Sequence, residues 1–187
     1  MLSRGDKEAH WFLAIRGLMP LVAENWEVLK EGPFGPLLVT QHITKENCDN
    51  PDDYELEKLE ALFEPSANTP VTTTSPSELE VCAQALAILR RVFRLPYAPN
   101  KTWLDVRGAV FIWPGAVSQE FVDLLFERRP EALVLLAYFC VLLKRINSYW
   151  YFEGLGVGLL ERVGEGLDSW GEGWREWIAW AEREPTV

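Results

Sequence analysis

The stretch ALVLLAYFCVLLKRI, residues 132–146, decides the fold. Its apolar run, residues 132–143, is 12 residues long, short of the ~20 that a membrane-spanning helix needs. It is apolar almost all the way round a helical wheel, so it has no face that suits water. A helix of that kind belongs in the centre of a soluble bundle, with other helices packed about it. The predicted fold is therefore all-α, a single-domain helical bundle over residues 1–187 around a central apolar helix at about 130–147.

The surrounding segments read as those other helices. Pro130 suits the first turn of the central helix, where a missing N–H costs nothing. Before it, Ser118 is placed to cap a helix carrying Phe121, Leu124 and Leu125, which ends at Arg128 and Arg129 near the negative end of its dipole. Residues 105–113 read as a buried helix stopped at Trp113-Pro114-Gly115. The sequence Ser75-Pro76-Ser77-Glu78 is a capping box with proline at the first helical position. It opens a stripe of Leu79, Cys82, Leu86, Leu89 and Phe93 at spacings of three and four. Asn50 is expected to cap a helix of about three turns through Leu56, Leu59, Leu62 and Phe63, with Pro51 at its first position. Two short helices are predicted over residues 6–29, divided at Pro20, and residues 64–75 as a mobile internal loop too polar to order itself. Nothing alternates as a strand does, and no internal repeat is visible.

Charge narrows the partners. The 187 residues carry 18 Lys and Arg against 28 Asp and Glu, a net charge of -10. Affinity for phosphate backbones comes from cationic side chains displacing counterions, so direct contact with nucleic acid or an anionic lipid surface is not expected. Cys48, Cys82 and Cys140 stand far apart, with no C-x-x-C and no histidine at metal-ligand spacing, so no metal site and no cofactor are predicted. The N-terminal residues carry charges where a secretory signal is apolar. An intracellular protein of cytoplasm or nucleus, with three reduced thiols, is the expectation.

The chemistry-bearing motifs are sparse. His10 and His42 are the two histidines, and neither lies in a metalloprotease or triad pattern. Gly154, Gly156 and Gly158 spell G-L-G-V-G but follow no strand, so close helix packing explains them better than a dinucleotide loop. Nine tryptophans are the unusual feature. Trp170, Trp174, Trp177 and Trp180 recur at helical spacing, which suits either core packing or the wall of a pocket. Several polar groups sit among aromatics: His10 beside Trp11, Arg16 a turn later, Asp105 after Trp103, Tyr138 within the apolar helix and Glu153 after the Tyr149–Phe152 block. A carboxyl held against apolar rings has its neutral form favoured and can serve as a general acid.

From Trp113 onward the chain resembles a known family. Phe111-Ile112-Trp113-Pro114, then RRPEALVLLA at 128–137, YWYFEGLG at 149–156 and WREWIAW at 174–180 are similar to the C-terminal portion of fungal binuclear-zinc-cluster transcription factors of the sterol uptake control type. HWFLAIRGLMPLVAENWEVLKEGPFGPLL, residues 10–38, resembles the segment that precedes them. The resemblance implies an all-helical regulatory domain that holds a sterol or another apolar small molecule and tends to dimerise. The family's six-cysteine DNA-binding cluster has no counterpart among these three cysteines. Met1 and the compact length point to a free-standing chain rather than an excised fragment.

Two functions follow as expectations. The first is a ligand-binding regulatory domain, with an aromatic-lined pocket built from Trp11, Arg16, Trp26, Phe111, Trp113, Tyr138, Tyr149 and Trp150 around a sterol, terpenoid or polyketide-like molecule. Its protein partner would be a second copy or a full-length relative. The alternative is a cofactor-independent cyclase or isomerase of fungal secondary metabolism, in which Glu153, Asp105 or His10 supplies the acid and the pocket imposes the reacting geometry.

Overall fold

Fourteen of the fifteen residues in the helix Pro130–Lys144 are buried, Leu136 being the exception. The computed structural model describes residues 50–63, 74–97 and 106–187, together with Leu13, Ala14, Arg16, Gly17, Glu24, Asn25, Val28 and Glu31. Residues 50–63, 74–97 and 106–187 form seven α-helices and no strand. In chain order the helices are α1 (Asp53–Lys58, continued by the 3-10 turn Leu59–Leu62), α2 (Pro76–Arg94), α3 (Val106–Ala116), α4 (Gln119–Phe126), α5 (Pro130–Lys144), α6 (Leu155–Asp168) and α7 (Arg175–Arg183). The fold is all-α, as the apolar run at 132–143 requires. By its contacts the chain divides into two compact units, Met1–Asn50 with Arg91–Ala116, and Pro51–Arg90 with Val117–Val187.

In the second unit α5 is the axis. α6 packs along it, and α7 lies against both. The close approach of α6 needs Gly156: a Cβ there would come within 2.8 Å of the Lys144 backbone nitrogen and 3.0 Å of the Cys140 carbonyl oxygen. Of the G-L-G-V-G glycines, Gly156 is thus the one that serves helix packing. Gly154 sits in front of α6 at a φ of 72°, the left-handed conformation that glycine adopts without strain. α5 ends at Lys144, a turn earlier than the sequence suggests, and residues 145–149 continue as tight turns in which the amides of Ile146 and Tyr149 donate to carbonyls three residues back. Ile146 still lies in the core.

The predicted caps hold at two helices. Ser75 N–H donates to Glu78 Oε2 (2.6 Å) and Glu78 N–H to Ser75 Oγ (3.3 Å), the reciprocal capping box at the start of α2. The Ser75 backbone N–H first, and then the Ser75 hydroxyl, hold the Glu78 carboxyl below the usual glutamate range, and Arg129 adds to it at 2.9 Å. Ser118 Oγ accepts from Phe121 N–H at the start of α4. The α2 stripe is buried from Cys82 through Leu86 and Leu89 to Phe93. Of the loop expected at 64–75, residues 64–73 lie outside the described residues. Thr74, its near end, donates to Glu131 Oε2 at 2.9 Å.

Three expectations are corrected. α1 begins at Asp53 with Asp52, not Asn50, in the cap position, and the Asp52 side chain does not cap. Its carboxylate is taken by Arg145, which donates to both oxygens at 2.6 and 2.9 Å, an ion pair outcompeting a local cap. α3 does not stop at Trp113 but runs through Pro114 to Ala116. Trp113, Ala109 and Val110 are fully buried on one face of that helix, and Arg16 Nη1 donates to the Pro114 carbonyl at 3.1 Å, satisfying one of its terminal acceptors. Trp170 does not share a helix with Trp174, Trp177 and Trp180. It lies in the turn after α6, Gly171 at a φ of 118° breaks the chain behind it, and its indole N–H donates to the Arg128 carbonyl at 2.9 Å.

Lys144 is the buried cation of this core. Its ammonium donates to the carbonyls of Ala181 (2.9 Å) and Glu182 (3.4 Å), acceptors near the C-terminus of α7. Burial lowers its pKa, partly offset by Glu184. A base whose folded pKa is depressed binds its proton more weakly when folded, so stability rises with pH between the lowered value and the ordinary lysine value near 10.4.

Two outcomes follow. Gly156→Ala pushes against the backbone of α5 and is expected to cost about 1–3 kcal/mol by urea unfolding. Gly164→Ala meets only the tip of the exposed Arg175 side chain (2.8 Å), which can swing away, so it should be neutral or stabilising by up to ~1 kcal/mol through helix propensity. Equal costs at both sites would refute this account of the α5–α6 contact. For Lys144→Met, the stability of the parent protein relative to the variant should climb with pH above neutrality, by at most ~1.4 kcal/mol per pH unit. A difference that stays flat from pH 7 to 10.5 would remove the burial assigned to this amine.

Candidate functional site

The second unit carries a cleft of about 310 Å³ between the 3-10 turn Leu59–Leu62 and one face of α2. Phe63, Ala83, Leu86 and Ala87 supply its apolar surface, and Glu60 and Arg90 its polar rim. The α2 face is built by helical spacing. Ala83 and Ala87 lie four apart, with Leu86 and Arg90 likewise four apart beside them, and the two small residues leave the space between turn and helix open. Arg90 is anchored by ion pairs to Glu60 and to Glu57, the latter at 3.5 Å. The volume lies at the small end of the range for ligand pockets, ~300–1,000 Å³. Apolar walls with a few polar groups at one edge are the usual composition of such pockets.

None of these six residues belongs to the aromatic lining read from the sequence. Its described members divide between the two units. In the first, Phe111 is 40% exposed on α3, Trp113 is fully buried and Arg16 reaches the Pro114 carbonyl. In the second, Tyr138 is buried in α5 with its ring 4.9 Å from that of Trp180, while Tyr149 is half-buried and Trp150 is 84% exposed. Trp150 stands edge-on to Tyr151 at 5.4 Å, and Phe152 alone of this block is wholly inside. Trp11, Trp26, His10 and Asp105 lie outside the described residues.

The acid chemistry imagined for the enzyme alternative finds little purchase among the described groups. Glu153 is exposed in the turn before α6 rather than enclosed among apolar rings. Tyr138 is pushed well above the usual phenol range, first by burial and then by the charge of Glu55, so its hydroxyl stays protonated. The Cys82 thiol is pushed up to about 12 by burial and by the negative charges of Glu131 and Glu78, the behaviour of a small core residue rather than a nucleophile. Among the described residues no three His, Cys, Asp or Glu side chains are grouped to hold a metal ion, and no single helix is long and apolar enough to cross a membrane.

The sequence could have signalled the cleft only weakly. Ala83 and Ala87 put two small residues on one face of α2 at i and i+4, a pattern equally at home under another helix. The partner surface, Phe63 and Glu60, comes from a turn that propensity alone reads as more α-helix.

No protein-family model matches the chain, and no solved structure matches it. It is 25% identical over 167 residues to a Zn(2)-C6 fungal-type transcription factor of Gibberella zeae, an alignment that covers 86% of this chain and 32% of that protein. The chain thus spans about a third of the length of the curated relative it matches. Over most of its own length it is similar to part of a fungal transcription factor.

Proposed function

We propose that this chain is a regulatory-type helical domain, of the lineage of fungal transcription factors of the sterol uptake control type, that holds an apolar small molecule of sterol, terpenoid or polyketide-like character. The observation that carries the reading is the likeness to a Zn(2)-C6 fungal-type transcription factor over 86% of the chain. The net charge of -10 fits a domain that leaves DNA contact to other residues, since it would repel phosphate. On this reading the chain works inside the cell, and a bound ligand biases its pairing with a second copy or a full-length relative.

Two surfaces can seat the ligand. One is the 310 Å³ cleft along α2. The other lies among the aromatic residues of one unit or the other, at Phe111, the half-exposed ring of the first unit, or at Tyr149 and Trp150, the accessible rings of the second.

Isothermal titration against a sterol, a sesquiterpene alcohol and a flat polycyclic aromatic tests the proposal. At least one should bind saturably with a Kd in the micromolar range. Ala87→Phe fills the cleft from an exposed helix position and should weaken binding at least tenfold when the cleft is the seat, whereas Phe111→Ala should do so when the ring on α3 is. Absence of saturable binding with all three probes would overturn the reading.

A further inference from the structure

We infer that the exposed aromatic turn between α5 and α6 is a docking surface for a basic, arginine-bearing segment of a partner protein. The inference goes beyond the ligand-binding reading, because it concerns a macromolecular partner and stands whether or not the cleft along α2 holds a small molecule. Tyr149, Trp150, Tyr151 and Glu153 form the surface.

Folding leaves this turn with bare rings. Trp150 is 84% exposed and Tyr151 48%, while Phe152, the next residue, is wholly buried and pins the turn to the core. Trp150 stands edge-on to Tyr151, with ring centres 5.4 Å apart, and Tyr149 lies 6.0 Å from Tyr151, so the three rings make one connected patch. The backbone beneath them is tied down on both sides. Ser148 N–H donates to the Val187 carbonyl (3.1 Å), Phe152 N–H to the Tyr149 carbonyl (2.8 Å) and Gly154 N–H to Asn147 Oδ1 (2.7 Å). Large rings already held in place lose little freedom on association.

Charge selects the occupant. An aromatic ring is negative on its faces and attracts a cation laid over them. Lys58 Nζ sits in this way 4.3 Å from the centre of the Tyr54 ring, but among the described residues no cation covers Trp150 or Tyr151. From Ile146 to Leu160 the chain has no basic residue, and its one acidic residue there is the exposed Glu153. Arg145, just before, is committed to Asp52 and Glu184. Past the turn, Val157, Glu161 and Glu165 recur every four residues on the exposed face of α6, so the surface that follows the rings is acidic as well. A guanidinium matches both features, stacking on a ring while its N–H donors reach an acidic side chain. A neutral apolar segment would cover the rings but offer Glu153 no donor, and an acidic one would be repelled.

Fluorescence anisotropy of a labelled dodecapeptide of alternating glycine and arginine, titrated with the full chain at pH 7.5, tests the assignment. It should bind saturably and at least tenfold tighter than the same peptide with glutamine in place of arginine. Trp150→Leu, at a position that the core does not use, should weaken binding at least fivefold, and Glu153→Gln at least twofold. Glu176→Gln removes one acidic group from the exposed side of α7 and should change it less than twofold. If Glu176→Gln and Glu153→Gln weaken binding equally while Trp150→Leu has no effect, only the general pull of a net charge of -10 is at work and the docking surface is refuted. A glutamine peptide that binds as tightly as the arginine one, or no saturable binding at all, would equally overturn it. The small-molecule titrations above, read at the cleft and at Phe111, stand or fall apart from these results.

Discussion

A helix with no wet side constrains everything near it. α5 has fourteen buried residues in fifteen, so each direction around it must be closed by another element or by a side chain whose polar end finds a partner. Burying a large aliphatic or aromatic side chain contributes about 1.5–3 kcal/mol, and Leu135, Phe139, Leu142 and Leu143 are each fully covered. That gain accrues only if neighbouring backbones come close. Gly156 permits this toward one end of the α5–α6 contact, and toward the other Leu133 Cδ1 lies 3.1 Å from where a Cβ on Gly166 would be.

The same burial decides where the charges go. Glu131 and Lys144 sit at the two ends of α5 and are both buried, so each has to find polar company inside the protein. Glu131 accepts from Thr74, which ties the segment before α2 to the start of α5. Lys144 donates to the last carbonyls of α7, and the backbone N–H of Val187 donates to the Lys144 carbonyl, which ties the chain's last helix to the end of α5. Arg145, one residue on, gathers Asp52 and Glu184 into a single network. Each end of the apolar helix is thus a junction where distant segments meet through hydrogen bonds.

The accessible cleft and rings lie at the edges of this arrangement rather than at its axis. Where α2 presents alanines instead of leucines toward the 3-10 turn, packing is incomplete and a cleft with an ionic rim results. Where the turn after α5 carries more aromatic surface than the core can take, Phe152 goes inside and Trp150 stays in water.

Local chemistry in the sequence was enough to determine the all-α class, the central helix, the capping box at Ser75 and Glu78, the cap at Ser118 and the packing role of Gly156 in the G-L-G-V-G stretch. Each rests on residues within a turn or two of one another, where periodicity, a missing N–H or a short side-chain bond acts alone. What needed the tertiary structure involves partners far apart in sequence. Asp52 abandons its cap for Arg145 across 93 residues, and the Trp170 indole reaches Arg128 across 42 instead of joining the tryptophans of α7. α3 carries on through Pro114, where the Arg16 guanidinium, 98 residues away, meets the proline carbonyl. The cleft is of the same kind, since its rim joins Glu60 to Arg90 and its volume exists only because a turn and a helix face meet short of full contact. Composition can announce that aromatic surface is in surplus, but only folding divides it between core and solvent, because that division depends on which faces other helices happen to cover.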